Sequence, residues 1–207
     1  MKKKIITFLM LCCLFCLTGC SNEVTQEENA EVEKNDEAAL EADIYADIEI
    51  ADYGTITVAL EKEFAPGTVE NFVALAESGF YDGLTFHRIM EGFMMQGGDP
   101  KGNGTGGSEN TIFGEFKENG FDNPLSHTRG AISMARSMAM NSASSQFFIV
   151  HEDSEFLDGS YAVFGYVTEG IEIVDQICEE SQPTDNNGTI PKEEQPVITK
   201  ITIRVEE

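Results

Sequence analysis

Phe86-His87-Arg88-Ile89-Met90-Glu91-Gly92-Phe93-Met94-Met95-Gln96-Gly97-Gly98-Asp99 is the stretch on which the reading of this chain turns. It sets one arginine among apolar and sulfur-bearing side chains, with a turn signal at Glu91-Gly92 between two short strand-like runs, Thr85–Ile89 and Phe93–Gly97. Strand parity puts Arg88 on the same face as Phe86 and turns His87 away from it. An arginine so placed either pairs with a carboxylate for structural reasons or serves a site. The segment alone leaves both readings open.

Working outward toward the N-terminus, period-two alternation covers Ala46, Ile48 and Ile50 and resumes at Ile56, Val58 and Leu60. The spacing predicts a hairpin with one buried face. Pro66-Gly67-Thr68 then opens a helical run with Val69, Phe72, Val73 and Ala76 on one side. Thr68 is the expected N-cap and Gly79 the expected C′ residue. Toward the C-terminus, further strands are expected at Gly130–Ala135, Gln146–Val150, Ala162–Tyr166 and Val197–Val205, with a second helix over Gly170–Glu179. Many short strands with two helices make the fold mainly β, a barrel or sandwich with helical lids. The domain is expected over residues 44–207, long enough to bury a core without disulfides.

The N-terminus is of different material. Lys2, Lys3 and Lys4 precede a short apolar run, Ile5 to Leu17, and then Leu17-Thr18-Gly19-Cys20. The run is too short for a comfortable membrane span, and the order of basic, apolar and small-residue regions is that of a signal peptide, residues 1–19. The box before Cys20 resembles the bacterial lipobox, which implies cleavage before Cys20 and lipidation of its thiol. The alternatives are a retained anchor or cleavage elsewhere. Two or more acyl chains anchor stably where one does not. The expected location is therefore the cell membrane, lipid-anchored on its extracytoplasmic face. Residues 20–43 are rich in acids and hold one base and no aromatic, so a disordered acidic tether is expected there.

Charge and cysteines narrow the partners. Thirteen Lys and Arg face thirty-seven Asp and Glu, for a net −24, and loss of the signal peptide takes away three Lys to leave −27. Nucleic acid is bound by clustered Lys and Arg, so it is excluded as a partner. Four of five cysteines lie in the signal peptide or its box, which leaves Cys178 alone and expected buried. Gly102-x-Gly104-x-x-Gly107 formally matches a dinucleotide fingerprint but no helix opens after it, so it is read as a flexible surface loop. His87, His127 and His151 have no zinc spacing, and Met134, Met138 and Met140 are read as apolar filler. No metal and no cofactor is expected, and no nucleophile–base pair is evident.

Three motifs in order decide the assignment. FHRIMEGFMMQGGD at 86–99, SSQFFIV at 144–150 and FLDGSYAVFGYVTEGIEIVDQI at 156–177 resemble the cyclophilins, supported by TIFGEF at 111–116. HTRGAISMARS and the longer MAMNSASSQFF loop resemble the bacterial branch. The resemblance spans about Ile44 to the C-terminus. It implies a closed eight-stranded antiparallel β-barrel capped by two α-helices, and peptidyl-prolyl cis-trans isomerase activity that aids folding of exported proteins. It makes Arg88 the catalytic residue. It implies a proline pocket of Phe93, Met94, Phe148 and Leu157 with Tyr161 at its edge, and peptide contacts from Gln96, Ala135, Arg136 and Gln146. Phe156 is implied as a further substrate-binding residue, an aromatic wall at a position where cyclosporin-sensitive members carry Trp, so weak cyclosporin binding is expected. Unfolded or Pro-containing polypeptides are the implied partners, and a monomer is expected. A tethered module that merely holds Pro-containing segments, or a lipoprotein for solute capture, are the competing readings.

Overall fold

The computed structural model describes residues 43–206, so the signal peptide, Cys20 and nearly all of the tether lie outside the described residues. Alternation builds the first hairpin as expected. β1 (Asp43–Ile50) pairs antiparallel with β2 (Gly54–Leu60), with Ile48 opposite Ile56. Ala46, Ile48, Ile56 and Val58 are fully buried. The turn between them places Asp52 at φ +67, a conformation its short polar side chain tolerates.

α1 (Pro66–Glu77) follows, then β3 (Arg88–Met90), β4 (Met94–Gly97), β5 (Ala131–Met134), β6 (Phe147–Val150), β7 (Val163–Glu169), α2 (Ile171–Glu180) and β8 (Ile198–Glu206). α1 packs on β8 and α2 on β2. The C-terminus of α1 ends as expected: Gly79 has φ +72, its N–H donates to Ala76 and that of Phe80 to Leu75. Its N-terminus differs from expectation. The helix starts at Pro66 after Ala65, so Thr68 lies inside the first turn. The orphan N–H groups of Gly67 and Thr68 donate instead to the carboxylate of Glu115, at 2.9 and 2.8 Å.

All eight strands join one antiparallel sheet in the order β3-β4-β6-β5-β7-β2-β1-β8. The expected closed barrel is corrected here to a curled sheet with two edges, β3 and β8. These edges meet through an isolated bridge, Thr85 to Val197, and scattered bonds such as Phe86 N to Pro196 O, not through a ladder. Pro191 and Pro196 precede β8 and carry no N–H to give, which stops a ladder from forming there.

The sheet has two apolar faces. Inward side chains such as Ile89, Met95, Phe147 and Ile132 join Phe72 of α1 in the main core. Phe72 lies 5.2–5.5 Å from the rings of Tyr81, Phe147 and Phe164. The alternate residues of the same strands, Met94, Phe148 and Val150, form a smaller cluster on the opposite face. Cys178 is buried in the main core as expected, and burial pushes its thiol up to about 12.

Candidate active site

The smaller cluster lies on the face where strand register assembles the site. Arg88 of β3 is opposite Gln96 of β4, Gln96 is opposite Phe148 of β6, and Phe148 is opposite Ser133 of β5. One cross-strand row thus carries a cation, an amide, an aromatic ring and a hydroxyl. Sequence parity had put Phe86 on this face. Instead Phe86 is wholly buried in the main core, because 86–87 leave the ladder between the Thr85 bridge and the start of β3. Arg88 alone emerges on the groove side.

A pocket of about 240 Å³ is lined by Arg88, Phe93, Met94, Gln96, Ala135, Arg136, Phe148, Leu157 and Tyr161. The sequence-derived candidates therefore converge. Gln146 lies beside them in an adjoining cavity of about 350 Å³, which shares Gln96, Ala135 and Arg136. Phe156 stands at the rim, 75% exposed, with its ring 5.7 Å from that of Phe93.

Arg88 is half-buried and, among the described residues, makes no ion pair with a carboxylate. The carboxylate pairing that the sequence left open is thus not found among the described residues. Its Nε donates to the Asn187 carbonyl at 2.7 Å and one terminal nitrogen donates to Gln96 Oε1 at 3.2 Å. The remaining neighbours are the sulfurs of Met94 and Met90, which are weak acceptors. Donor capacity is left over in the pocket. Burial lowers the guanidinium pKa from its ordinary value, yet an arginine stays charged in water near neutral pH.

The polar row continues. Gln96 Nε2 donates to Gln146 Oε1 at 2.9 Å, and Gln146 Nε2 donates to the Gly106 carbonyl at 2.7 Å. The glycine loop read as flexible is held down: Asp99, 1% exposed, accepts the N–H groups of Lys101, Asn103 and Gly104. The Arg136 side chain donates through Nε to the Ser160 carbonyl, and its guanidinium lies 4.9 and 4.7 Å from the ring centres of Phe116 and Tyr161. Side-chain packing as well as main chain thus builds this wall.

Beneath Phe148 lies a network that the sequence reading missed. The His127 ring stacks on Phe148 at 5.9 Å. Its Nδ1 is 2.7 Å from Asp158 Oδ1 and its Nε2 is 3.0 Å from Ser133 Oγ. The trio has the composition of a hydrolytic triad, but Ser133 and His127 are both 0% exposed. No substrate carbonyl reaches that hydroxyl, so the trio supports the Phe148 wall. Burial pulls His127 below the usual histidine range, against the opposing pull of Asp158. Asn187 was also missed. Its signal was the Asn187-Gly188 pair, a turn signature inside a stretch read only as polar. Among the described residues no group of His, Cys, Asp or Glu is placed to hold a metal ion.

Comparisons with known proteins point to one family. Residues 45–204 match the family profile "Cyclophilin type peptidyl-prolyl cis-trans isomerase/CLD". Peptidyl-prolyl cis-trans isomerase B of Bacillus subtilis is 46% identical over 144 residues, covering 70% of this chain and 92% of that protein. A peptidyl-prolyl cis-trans isomerase of Helicobacter pylori is 46% identical over 126 residues, 60% of this chain and 75% of that protein. The crystal structure of a Cryptosporidium parvum cyclophilin-type isomerase, solved in the presence of the dipeptide Ala-Pro, is 30% identical with a TM-score of 0.68. That match covers 77% of this chain and 98% of the other. The chain belongs to the cyclophilin-type peptidyl-prolyl cis-trans isomerases.

Proposed function

We propose that Arg88 accelerates isomerisation by stabilising the twisted X–Pro amide, while the apolar pocket beside it holds the proline ring. The uncatalysed reaction is slow because amide resonance must be broken, a barrier of about 18–20 kcal/mol. No bond is made or cleaved, so the enzyme has only to favour the twisted form over both planar ones. Twisting localises a lone pair on the prolyl nitrogen. A guanidinium donates weakly to the planar amide and strongly to that lone pair.

The observation that carries this reading is the way Arg88 is held. Asn187 and Gln96 fix its stem and one nitrogen, no carboxylate neutralises it, and the other donors face sulfur and the pocket. Such preorganisation has little reorganisation to undergo as charge develops. Phe93, Met94, Phe148 and Leu157 offer the ring an apolar wall. Gln96, Ala135, Arg136 and Gln146 border the adjoining cavity, where the rest of the peptide lies. The substrates are then Pro-containing polypeptides.

The lipobox ending at Cys20 supports a place of work at the outer face of a membrane, on exported chains that arrive unfolded. Two measurements test these readings. NMR exchange on an X–Pro peptide is expected to accelerate with wild type and not with Arg88→Ala; full activity in Arg88→Ala would refute the role of Arg88. Cys20→Ser is expected to lose fatty-acid labelling and to leave the membrane fraction. Unchanged fractionation would refute the lipid anchor.

A further inference from the structure

On the other flank of Arg88 is a cavity of about 770 Å³, which shares Arg88 and Gln96 with the proline pocket. Its basic groups come from three places: Arg88 on β3, Lys101 after β4 and Lys192 before β8. No Asp or Glu lines it. Residues 43–206 hold nine Lys and Arg against twenty-eight Asp and Glu, so three cations around one acid-free cavity run against the composition of the domain. Among the described residues, neither lysine is within ion-pairing distance of a carboxylate.

The cavity has a second feature. His87 lines it, is 4% exposed, and neither ring nitrogen has a hydrogen-bond partner. Its Nε2 edge lies against Gly104, another wall residue, where an added Cβ would sit 3.6 Å away. A buried polar edge without a partner is costly, so it marks a wall that gains from a polar occupant. The carboxylates that act on these walls are already occupied. Asp99, which acts on His87, accepts backbone N–H groups of its own loop, and Asp185, which acts on Arg88, accepts those of Asn187 and Thr189.

We propose that this cavity is an acidic-residue subsite: it receives an Asp or Glu side chain of the same polypeptide whose X–Pro bond lies at Arg88. The inference rests on the reading of the Arg88 pocket given above. The two cavities share Arg88 and Gln96, so a residue near the proline in sequence reaches from one to the other. Lys101 and Lys192 supply point charges and set the preference.

The test is NMR exchange on a peptide series with Glu, or Gln as its neutral match, scanned through the four positions on either side of X–Pro. At low salt at least one position is expected to favour Glu over Gln in kcat/KM by about 3- to 5-fold, the scale of two exposed charge pairs. The ratio is expected to fall toward one in Lys101→Ala/Lys192→Ala and at high salt, and to persist in Lys200→Ala on β8. Equal turnover of Glu and Gln peptides at every position, or a preference that survives the double substitution, overturns the subsite. Inhibition by inorganic phosphate at constant ionic strength without any peptide preference also overturns it, and assigns the cavity to free anions. The Gln peptides separately report the isomerase reaction: if wild type does not accelerate them, it is the reading of the Arg88 pocket that fails.

Discussion

The backbone carbonyl oxygen of Asn187 lies 2.7 Å from Arg88 Nε, although the two residues are 99 positions apart. The turn that delivers it is folded on Asp185, whose carboxylate accepts the N–H groups of Asn187 and Thr189 and the Thr189 hydroxyl. Gly188 completes the turn at φ +86, and a Cβ there would meet Met90 Cγ at 2.5 Å and Ile89 O at 2.7 Å. Only glycine fits that approach. The loop thus clamps the stem of the guanidinium and leaves its far nitrogens to the pocket.

Geometry, beyond charge, is therefore what Arg88 contributes. Lysine keeps the cation but has neither the Nε donor that meets Asn187 nor the planar fork. Arg88→Lys is expected to lower kcat/KM by about 10- to 100-fold, and Arg88→Ala by about 100- to 1000-fold, the range for removal of a preorganised donor. Urea melts of both should stay within about 2 kcal/mol of wild type, since the half-exposed side chain gives up hydrogen bonds to Asn187 and Gln96 but no ion pair. Near-full activity in Arg88→Lys would reduce the role to charge alone.

Glu115 gives a prediction on stability. It is 5% exposed and accepts the N–H groups of Gly67 and Thr68 and the Thr68 hydroxyl, the last at 2.7 Å. Glu115→Ala leaves the two Thr68 donors buried without partners and frees the exposed Gly67 N–H to water, at an expected cost of about 2–3 kcal/mol in urea unfolding. Glu115→Gln keeps one acceptor oxygen and should cost about half of that. Because α1 packs on β8 and not on the groove, activity per folded molecule should hold in both.

The contrast between Gly79 and Thr68 says what the sequence could convey. A helix C-terminus is written locally: Gly79 adopts the left-handed conformation that its residue type announces. The N-terminus is capped from 47 positions away by Glu115, and nothing near Thr68 encodes that partner. The site divides in the same manner. Phe93, Met94, Gln96, Phe148, Leu157 and Tyr161 were legible because they fall in long motifs whose register brings them together. Phe86 was placed on the wrong face because parity carries no warning of a break in the strand. The support of Phe148 by His127, Ser133 and Asp158 was hidden because three scattered polar residues meet only through the curl of the sheet.

Two buried histidines make stability depend on pH. Burial pulls His87 and His127 below the ordinary value of about 6.5, with Asp99 and Asp158 opposing only in part. The unfolded chain then binds protons more readily than the folded one. This stability is fully present above about pH 6.5 and is lost as pH falls through the lower folded values. The carboxylates whose values are lowered, Asp47, Asp99, Asp158 and Asp185, lose their share only below about pH 4, so the loss due to the histidines begins first. Urea midpoints are expected to be level from pH 8 to 7 and to drop as pH falls below about 6.5, less steeply in His87→Leu. A midpoint that does not fall below about pH 6.5 would contradict the account.

Phe156 is expected to separate catalysis from drug sensitivity. Its ring is 75% exposed at the rim, with its centre 5.7 Å from that of Phe93. Resemblance puts a tryptophan here in cyclosporin-sensitive members, and an indole adds an N–H donor and a wider face that Phe156 lacks. Wild type is accordingly expected to be inhibited by cyclosporin only weakly. Phe156→Trp should tighten inhibition about tenfold, the worth of one added hydrogen bond and some buried apolar area. Turnover of a short X–Pro peptide should change by less than about twofold, because Arg88 and the walls from Phe93 to Phe148 stay in place and the rim contributes little to transition-state binding. Equal cyclosporin inhibition of the two proteins would show that the rim residue does not set the affinity. A large loss of turnover in Phe156→Trp would instead place Phe156 within the catalytic pocket.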